Sequence, residues 1–395
     1  MKLLLASSFL HPRGGDTTLL LAEWAGWRAR GVEVLPFAMR HPDNLAAPTE
    51  ARFPSWHAPR ESRSLGAKLL ALAQSTWNRE AARALDGLLR DTRPTAAHLH
   101  HLHRHLTSSI LPILKAHGLR VAWTIHDYEL SCPTGLRYRD GAPCDDCRAG
   151  HYAAAIVGRC KDGRLLPSAA VALEHAFHRY IDIQRYVDVF VAPSRAVAEA
   201  LRDDGIARVV HLPNLLPTGG IVSRPAADVV FAGRLTEEKG IYELLGLARA
   251  LPGATVHVYG DGPLATALLS AGLANLQVFG SRPTEEVRGA LAAAKLAIVP
   301  SRWPENQPYA VLEAQAAGAV VVASRVGGIP EMIDDGVDGV LVPPGEVDAL
   351  VAAVSRLLGD EERRARMAAA AKARIARERD AEGWFAAMRT ILGGG

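Results

Sequence analysis

The chain has 395 residues, of which 49% are hydrophobic and 22% are charged. These proportions exclude disorder, a collagen helix or a coiled coil as descriptions of the whole chain, and the length suggests two domains. No run of about 18 apolar residues occurs, so a membrane-spanning helix is excluded as well. The net charge of +3 is too small to indicate nucleic-acid binding.

The charge is unevenly distributed along the chain. Residues 1–215 carry 27 Lys and Arg against 21 Asp and Glu, whereas residues 216–374 carry 15 against 18. A basic first half would suit an anionic lipid surface or a phosphate-bearing acceptor, and chance is the alternative. The helical stretch 68–90 could also touch a membrane, although we favour its packing in a core.

Two series of alternating strands and helices follow in chain order. The first begins with the strand KLLLAS, which we favour over a signal peptide because His11 and Pro12 soon end the apolar run. It continues with helices over 16–30 and 65–90 and with the strands VEVLPF, TAAHLHHL, VAWTIHD and VDVFVAPS. The second has the strands DVVFAGRL, ATVHVYG, LQVFG, LAIVPS, AVVVAS and VLVPP, and ends in a helix over 360–391. Such series predict an α/β protein with two doubly wound parallel sheets.

The join between the two series is the Pro- and Gly-rich segment 213–228. We therefore predict an N-terminal domain over 1–214 and a C-terminal domain over 215–374, with residues 375–395 packing back on the first domain. A segment with little periodicity, 128–167, is inserted in the first domain and holds the four cysteines, Cys132, Cys144, Cys147 and Cys160. A C-x-x-C motif flanked by two further thiols predicts a structural zinc site, with free thiols or a disulfide as alternatives.

Charged residues follow several strands of the second series. Arg234 and Lys239 come after one strand, and Glu305 comes after another. A helix is predicted to begin near Pro308, with Glu313 inside it, so its N-terminus would offer N–H groups to a phosphate. An Arg and a Lys five residues apart can converge on one diphosphate. Glutamates are also common in the first turn of a helix, which is the alternative interpretation of this pair.

These motifs resemble a known enzyme family. FAGRLTEEKG, VYGDGP, the E-x7-E of PENQPYAVLEAQAAG, and VASRVGGIPEMI are similar to the donor half of the family-four retaining glycosyltransferases. HPRGGD, WTIHDYELSCP and VAPSRAVAEAL are similar to the acceptor half. The resemblance implies the GT-B fold, in which two Rossmann-like domains face a central cleft. It also implies that the first domain binds the acceptor and the second binds a nucleotide-sugar donor.

The resemblance implies roles for individual residues. The catalytic residues would be His126, Arg234, Lys239 and Glu305. Donor binding would involve Gly14, Gly15, Gly233, Arg234, Lys239, Gly260, Phe279, Arg282, Glu305, Asn306, Gln307, Tyr309, Ala310 and Glu313. The acceptor side would include His100, His101 and Asp127. Pro308 departs from the family pattern because it has no N–H to donate, which leaves the donor sugar open.

The function implied is the transfer of a sugar from a UDP- or GDP-sugar, most readily a UDP-sugar, to a glycan or lipid-linked acceptor in bacterial polysaccharide biosynthesis. No Asp-x-Asp motif follows a strand, and Arg234, Lys239 and helix N-termini can stabilise the leaving diphosphate, so we expect no catalytic metal. We expect a cytoplasmic protein that contacts the inner membrane face peripherally through its basic N-terminal domain. A GT-B sugar-nucleotide epimerase and a non-catalytic sugar-nucleotide-binding partner are the alternatives. A nicotinamide dehydrogenase is disfavoured because no G-x-G-x-x-G follows the first strand.

Overall fold

The chain forms two units in the computed structural model, which describes residues 1–56, 65–217 and 219–394. The first unit comprises Met1–Gly135, Asp145–Pro217 and Ala381–Gly395, and the second comprises Leu136–Cys144 and Thr218–Asp380. The last residue of the predicted C-terminal segment, 395, lies outside the described residues. Each unit has its own parallel sheet, so the prediction of two doubly wound domains is confirmed.

The first unit is built on a six-stranded parallel sheet with the order β2-β1-β3-β4-β7-β8. The strands up to β8 are β1 (Lys2–Ala6), β2 (Glu33–Phe37), β3 (Ala96–Leu99), β4 (Arg120–Thr124), β5 (Tyr138–Arg139), β6 (Ala142–Pro143), β7 (Val189–Ala192) and β8 (Val209–His211). Strands β5 and β6 form a separate antiparallel pair that belongs to the second unit. The helices up to α7 are α1 (Gly15–Ala29), α2 (Leu65–Thr76), α3 (Arg79–Thr92), α4 (Leu111–Ala116), α5 (Ala153–Val157), α6 (Leu165–Tyr180) and α7 (Arg195–Asp203).

The second unit has the strand order β11-β10-β9-β12-β13-β14. Its strands are β9 (Ala227–Ala232), β10 (Val256–Tyr259), β11 (Leu276–Gly280), β12 (Ala294–Val299), β13 (Val320–Ser324) and β14 (Gly339–Val342). The remaining helices are α8 (Ile241–Ala250), α9 (Ala265–Leu269), α10 (Thr284–Ala293), α11 (Tyr309–Ala317), α12 (Val347–Leu358), α13 (Glu361–Glu378) and α14 (Ala381–Ile391). Every residue of β13 is buried, as expected for a strand covered by helices on both faces.

Two predicted helices are each divided in the structure. The helix predicted over 65–90 is α2 and α3, because Asn78 accepts the Ala81 N–H and caps a new helix. The helix predicted over 360–391 is α13 and α14, which belong to different units. Each of these two helices buries its own apolar residues, with Met367 on α13 and Phe385 on α14. Among the described residues, no helix is both long and apolar enough to cross a membrane.

Candidate functional site

The second sheet gathers its candidate residues at one edge. Strands β9, β10, β12 and β13 run parallel, so their carboxyl ends lie at the same edge. The direction of connection reverses between β9 and β12, which are neighbours in the sheet. Open α/β sheets bind ligands outside such a switch point. The loops that follow β9 and β12 carry Arg234, Lys239 and Glu305.

Lys239 and Glu305 form a buried ion pair at this edge. Lys239 Nζ lies 2.7 Å from Glu305 Oε1, and the two side chains are 18% and 4% exposed. Ser301 donates its hydroxyl to the same oxygen over 2.6 Å. The ammonium also lies 4.9 Å from the centre of the Trp303 ring. The structure therefore brings together two of the predicted catalytic residues and fixes the carboxylate with a second donor.

Arg234 has a different environment from Lys239. Its side chain is 61% exposed, and its guanidinium lies 3.5 Å from Glu238 Oε1, four residues further along the chain. The two cations that were predicted to converge on a diphosphate thus have different carboxylate partners. Of these two cations, Arg234 is the more accessible to a ligand from solution.

Gly233 and Gly260 allow two strand ends to approach each other. The Gly233 N–H donates to the Tyr259 carbonyl and the Gly260 N–H to the Gly280 carbonyl, each over 2.9 Å. Gly260 has φ +137°, and a Cβ there would lie 1.8 Å from the Gly233 carbonyl oxygen. Both the backbone conformation and the lack of space require glycine at this position.

The residues predicted to contact the nucleobase lie after β10 and β11. The Phe279 ring stacks on Tyr259, with centroids 4.8 Å apart and planes inclined by 6°. Arg282 Nε donates to the Phe279 carbonyl over 3.0 Å. One face of the Phe279 ring is therefore covered by the protein, and the contact of Phe279 and Arg282 with a base stays a prediction.

Helix α11 begins at this same edge, directly after Pro308. Pro308 has φ −68°, which suits the position before a helix, and its own side chain makes no capping hydrogen bond. The preceding loop is fixed because Gly328 donates its N–H to the Glu305 carbonyl over 2.7 Å. A helix N-terminus presents N–H groups and the positive end of a dipole to an anion. The predicted donor residues here are Asn306, Gln307 and Tyr309, which are buried, and Ala310, which is half-buried.

Glu313 lies one turn into α11 and has a basic partner. Arg288 on α10 donates its Nε–H to Glu313 Oε1 over 3.1 Å, and both side chains are largely buried. Burial raises the pKa of Glu313, and the positive charge of Arg288 opposes that rise. The carboxylate is held in one orientation, and its role in binding a ribose stays a prediction.

In the first unit, the exposed N-terminus of α1 carries the predicted glycines. Gly14 precedes the helix and Gly15 begins it. The Thr17 hydroxyl accepts the N–H groups of Arg13 and Gly14 over 2.9 and 3.1 Å. The loop is therefore closed on the helix by a side chain of the first turn, and both glycines remain exposed.

A buried network connects α1 to His126. Glu23 Oε1 accepts from Trp27 Nε1 over 2.8 Å and lies 2.7 Å from His98 Nδ1. Glu23 Oε2 lies 3.1 Å from His100 Nε2, and His100 Nδ1 lies 3.0 Å from His126 Nε2. Two predicted residues, His100 and His126, are thus in direct contact. Burial would raise the pKa of Glu23, but the charges and hydrogen bonds of His98 and His100 lower it.

The positions of the protons in this network follow from the ionised state of the Glu23 carboxylate. An ionised carboxylate only accepts, so His100 donates through Nε2 and its Nδ1 accepts. His126 must then donate through Nε2, which leaves Nδ1 as an acceptor. Burial lowers the pKa of His126 to about 3, and the neighbouring His100 adds to the effect. His126 is therefore a neutral imidazole in a single tautomer at neutral pH.

Asp127 and His101 surround a second carboxylate, that of Glu129. The Glu129 N–H donates to Asp127 Oδ1 over 2.8 Å. Burial raises the pKa of Asp127 well above its usual value, and the Glu129 carboxylate raises it further. Glu129 Oε2 lies 3.8 Å from His101 Nε2 and 3.4 Å from His103 Nε2. The pKa of Glu129 is lowered to about 2, because these histidines outweigh the effect of burial.

The four cysteines of the predicted zinc site are divided between the two units. Cys147 packs with Tyr152 and Ala155, and Cys160 packs against this cluster. Cys132 belongs to the first unit and Cys144 to the second. In the described residues, the groups with three potential metal ligands within 4.8 Å are His11–His41–Asp43 and Glu23–His98–His100, and neither contains a cysteine. A four-thiolate zinc site therefore stays a prediction.

Several residues of the site were not foreseen from the sequence. Glu23, Arg288 and Ser301 each contact a predicted residue, at His100, Glu313 and Glu305 respectively. The spacing of His98 and His100 was a usable signal, because residues two apart in a strand share a face. Their partner Glu23 on α1 carried no such signal, since it lies 75 and 77 residues away in sequence from these two histidines.

Comparison with known proteins finds a family model that matches most of the second unit. Residues 224–374 match the model of the family described as glycosyl transferases group 1. The exopolysaccharide phosphotransferase of Streptomyces coelicolor is 37% identical over 169 residues, which cover 39% of the chain and 17% of that protein. The amylovoran biosynthesis glycosyltransferase AmsK of Erwinia amylovora is 33% identical over 164 residues, which cover 38% and 40%. The chain thus spans less than half the length of these curated relatives.

Solved structures match the whole chain. The Anabaena protein HepE, in complex with UDP-glucose, superposes with a TM-score of 0.69 and 17% identity, covering 100% of both chains. TarM of S. aureus superposes with a TM-score of 0.71 and 11% identity, covering 99% of this chain and 100% of that one. At these identities the likeness shows the fold, which is GT-B.

Proposed function

We propose that the chain transfers a sugar from a nucleoside-diphosphate donor to a glycan or lipid-linked acceptor. The match of residues 224–374 to the model of glycosyl transferases group 1 supports this proposal. The observation that carries the proposal is the Lys239–Glu305 pair at the switch point of the second sheet. It places a cation for phosphate and a carboxylate for sugar hydroxyls side by side. The N-terminus of α11 follows directly after this carboxylate in the chain.

We propose a retaining reaction. The bond between the anomeric carbon and the β-phosphate oxygen breaks, and the acceptor hydroxyl oxygen bonds to that carbon on the same face. The hydroxyl proton passes to the departing phosphate oxygen, and a nucleoside diphosphate leaves. Arg234, Lys239 and the α11 N-terminus supply positive charge where negative charge develops, which is the form of stabilisation that usually contributes most.

His126 has a positioning role in this proposal. Its Nδ1 is the acceptor left by the Glu23–His100 network, so it accepts a hydrogen bond from a sugar hydroxyl. A histidine whose pKa lies near 3 does not take up a proton at neutral pH. We therefore assign it to orienting a hydroxyl rather than to general base catalysis.

We propose a UDP-sugar as the donor and catalysis without a metal ion. HepE, whose structure resembles this one, binds UDP-glucose, which supports the first part. Glu313, held by Arg288, offers a carboxylate to a ribose. The proposal of catalysis without a metal ion rests on Arg234 and Lys239 as fixed cations. Retention of activity in EDTA tests it.

We propose that the acceptor belongs to bacterial polysaccharide biosynthesis and that the protein works in the cytoplasm, at the inner face of the membrane. The names of the Streptomyces and Erwinia relatives support this class of product.

A structural zinc bound by Cys132, Cys144, Cys147 and Cys160 is the remaining metal proposal. Zinc analysis of protein purified without a His tag tests it, and less than about 0.2 zinc per chain rejects it, since a structural site holds one ion.

A thermal-shift screen with UDP, GDP and ADP tests the donor. A ligand at 100 times its dissociation constant stabilises its unit by about 2.7 kcal/mol. Glu313→Ala should abolish the shift, whereas Glu346→Ala, an exposed glutamate of the same unit, should leave it unchanged. No shift with any nucleotide would contradict the proposal.

A product assay separates transfer from its two rivals. An epimerase would convert free sugar nucleotide without an acceptor, and a non-catalytic partner would bind UDP but release none. Acceptor-dependent release of UDP, with a new glycoside retaining the donor's anomeric configuration, supports the proposed function. Inversion of that configuration would contradict the retaining mechanism alone.

A further inference from the structure

Helix α6 turns its polar residues inwards. Ser168, Glu174, His175 and His178 are buried on this helix. His175 lies between two backbone carbonyls, 2.8 Å from that of Val171 and 2.6 Å from that of Glu129. His175 and His178 also line a cavity of about 290 Å³ in the first unit. Four of the six buried side chains of α6 are therefore ones that a surface helix normally presents to water, and the other two are Val171 and Ala172.

The opposite side of α6, which we call its outward face, is apolar. It consists of Leu166, Leu173, Phe177 and Tyr180, which are 80%, 66%, 38% and 88% exposed. Their spacing of 7, 4 and 3 residues places them in one stripe along the helix. The ordinary polarity of an amphipathic surface helix is thus largely inverted, and the described residues of the same unit leave the stripe exposed.

This concentration of exposed apolar side chains stands out in the described chain. Six of the thirteen large hydrophobic residues exposed there fall between Val157 and Tyr180. Val157, at the end of α5, is 84% exposed and Leu165 is 52% exposed. Trp77 extends the patch with a third aromatic ring, edge-on to Phe177 at 5.8 Å. Contiguous apolar patches of this kind mark interaction sites.

Basic residues lie at both ends of the outward face. Arg159 and Arg164 are exposed before and at the start of α6, with Lys161 between them. Arg179 and Arg185 are exposed at the other end. The exposed acidic residues in the same stretch are Asp162 and Asp182. A stripe of Leu with aromatic residues, flanked by Arg and Lys, fits the interface of an anionic bilayer.

We propose that the outward face of α6 docks the protein on an anionic lipid surface. The leucines and Phe177 enter the boundary between headgroups and acyl chains, Tyr180 and Trp77 lie at the headgroup level, and Arg159 and Arg164 contact lipid phosphates. The basic residues at both ends of the face favour an anionic lipid surface over a second copy of the chain. In a dimer formed through this face, the basic residues of the two copies would repel each other. The proposal deepens the proposed function, on which it rests for the lipid-linked acceptor.

Vesicle co-sedimentation of the full chain tests the docking. Vesicles of phosphatidylglycerol and phosphatidylcholine are compared with vesicles of phosphatidylcholine alone, without nucleotide. The double variant Leu166→Gln, Leu173→Gln should bind the anionic vesicles at least about 100-fold more weakly, because each leucine loses most of a buried side chain's transfer energy. Leu269→Gln, Val337→Gln is the matched control, since both residues are similarly exposed in the second unit.

Charge variants test the basic flanks separately. Arg159→Gln, Arg164→Gln should weaken binding by about 25-fold at low salt, about fivefold per arginine, and less at high salt. Arg356→Gln, Arg366→Gln removes two exposed arginines of the second unit and should have no effect. Folding is checked for every variant, by tryptophan fluorescence for the first unit and by the UDP thermal shift for the second.

Four outcomes overturn the docking proposal. These are no binding to anionic vesicles, equal binding to both vesicle types, unchanged binding by the Leu166–Leu173 variant, and equal loss in the matched control. A dimer in sedimentation analysis that this variant dissociates, without vesicle binding, would show that a second copy covers the face. Retained vesicle binding without any UDP shift would overturn the proposed function alone.

Discussion

Lys239 and Arg234 lie five residues apart in one loop, but their surroundings give them different energetic roles. Lys239 is buried beside the Glu305 carboxylate, whereas Arg234 is mostly exposed beside Glu238. Removing one partner of a buried pair leaves a charge without compensation, while an exposed pair contributes little to stability. The two cations should therefore be separable by experiment.

Arg234→Ala should lower turnover and leave stability unchanged. The loss of one preorganised charge costs about 2–4 kcal/mol of transition-state stabilisation. Lys239→Ala should lower turnover by a similar amount and also destabilise the second unit by about 3–5 kcal/mol, because Glu305 remains buried and unpaired. Steady-state kinetics and urea unfolding measure the two effects.

Two further variants control this comparison. Lys239→Met with Glu305→Gln removes both charges, so it should recover most of the stability but none of the turnover. Lys295→Ala breaks the exposed pair with Asp228 and should cost at most about 1 kcal/mol of stability. Full activity in the Arg234→Ala, Lys239→Ala double variant would refute the assignment of both residues.

The buried histidines of the first unit predict a loss of stability in mild acid. Burial lowers the pKa of His103 to about 3, and His101 and His175 lower it further against the opposing charge of Glu129. A histidine in an unfolded chain titrates near pH 6.5, so between pH 6.5 and 3 the unfolded state binds more protons. Stability therefore rises with pH in this window and is lost as pH falls below about 6.5.

The measurement is urea unfolding at pH 7 and pH 5, followed by tryptophan fluorescence. Six of the seven tryptophans belong to the first unit, and Trp303 is the exception. His103→Asn should reduce the destabilisation between these pH values by about 1–2 kcal/mol, since one proton per molecule is worth about 1.4 kcal/mol per pH unit. His151→Gln, at an exposed position, is the control. An unchanged slope in His103→Asn would contradict the prediction.

The candidate residues could be found from the sequence where residues that act together also lie close together in the chain. Glu305 and Glu313, or Arg234 and Lys239, lie close in the chain and follow strands that were correctly predicted. Supporting residues could not be found in this way. Arg288, the partner of Glu313, and Glu23, the partner of His100, come from helices whose inward faces depend on packing. Local spacing predicts the candidate residues, and the tertiary structure shows which side chains hold them in place.

At the scale of elements, the loops at the second sheet's edge depend on glycines that have no substitute. Gly260→Ala would force φ +137° on a residue with a Cβ and place that atom 1.8 Å from the Gly233 carbonyl oxygen. Strain and overpacking together should cost about 2–5 kcal/mol. The measurements are urea unfolding and the UDP thermal shift, and both should be reduced.

Gly253→Ala is the matched control for this prediction. Gly253 lies in the turn before β10, and a Cβ there would meet no atom within 4 Å. The change should therefore be within about 0.5 kcal/mol of the original stability, as for most surface substitutions. Equal stability of the two variants would show that the loop after β10 is free to rearrange.

Element boundaries were less predictable than element types. The apolar pattern over 65–90 continues through Asn78, and only the cap to Ala81, with Asn78 Nδ2 donating to the His105 carbonyl over 2.8 Å, shows why α2 ends and α3 begins. Strand β8 spans Val209–His211 and is too short to give a periodic signal. Such features depend on contacts made elsewhere in the fold.

For the whole molecule, the two-domain architecture followed from the repeated strand–helix pattern, but the path of the chain between units did not. The sequence gives no sign that Leu136–Cys144 belongs with the second unit. The contacts of α14 show how the end of the chain packs within the first unit. Phe385 on α14 packs edge-on against Trp27 at 4.8 Å, under Arg30, and Trp384 Nε1 donates to the Pro213 carbonyl over 2.9 Å.

This division predicts that the units respond to different perturbations. Phe385→Ala should destabilise the first unit by about 3–5 kcal/mol, the usual cost of removing a buried phenylalanine. The stabilisation of the second unit by UDP at 100 times its dissociation constant should remain near about 2.7 kcal/mol. Calorimetry with and without UDP separates the two transitions, and tryptophan fluorescence identifies the first unit.

The reciprocal variant is Leu247→Ala on α8. Leu247 is fully buried in the core of the second unit, so its truncation should lower that unit's transition by about 2–5 kcal/mol and leave the tryptophan-reported transition in place. Phe385→Ala should therefore shift only the transition of the first unit, and Leu247→Ala only that of the second. If UDP raised both transitions, or if each variant shifted a single common transition, the units would share one cooperative fold. The assignment of α14 to the first unit's stability alone would then be refuted.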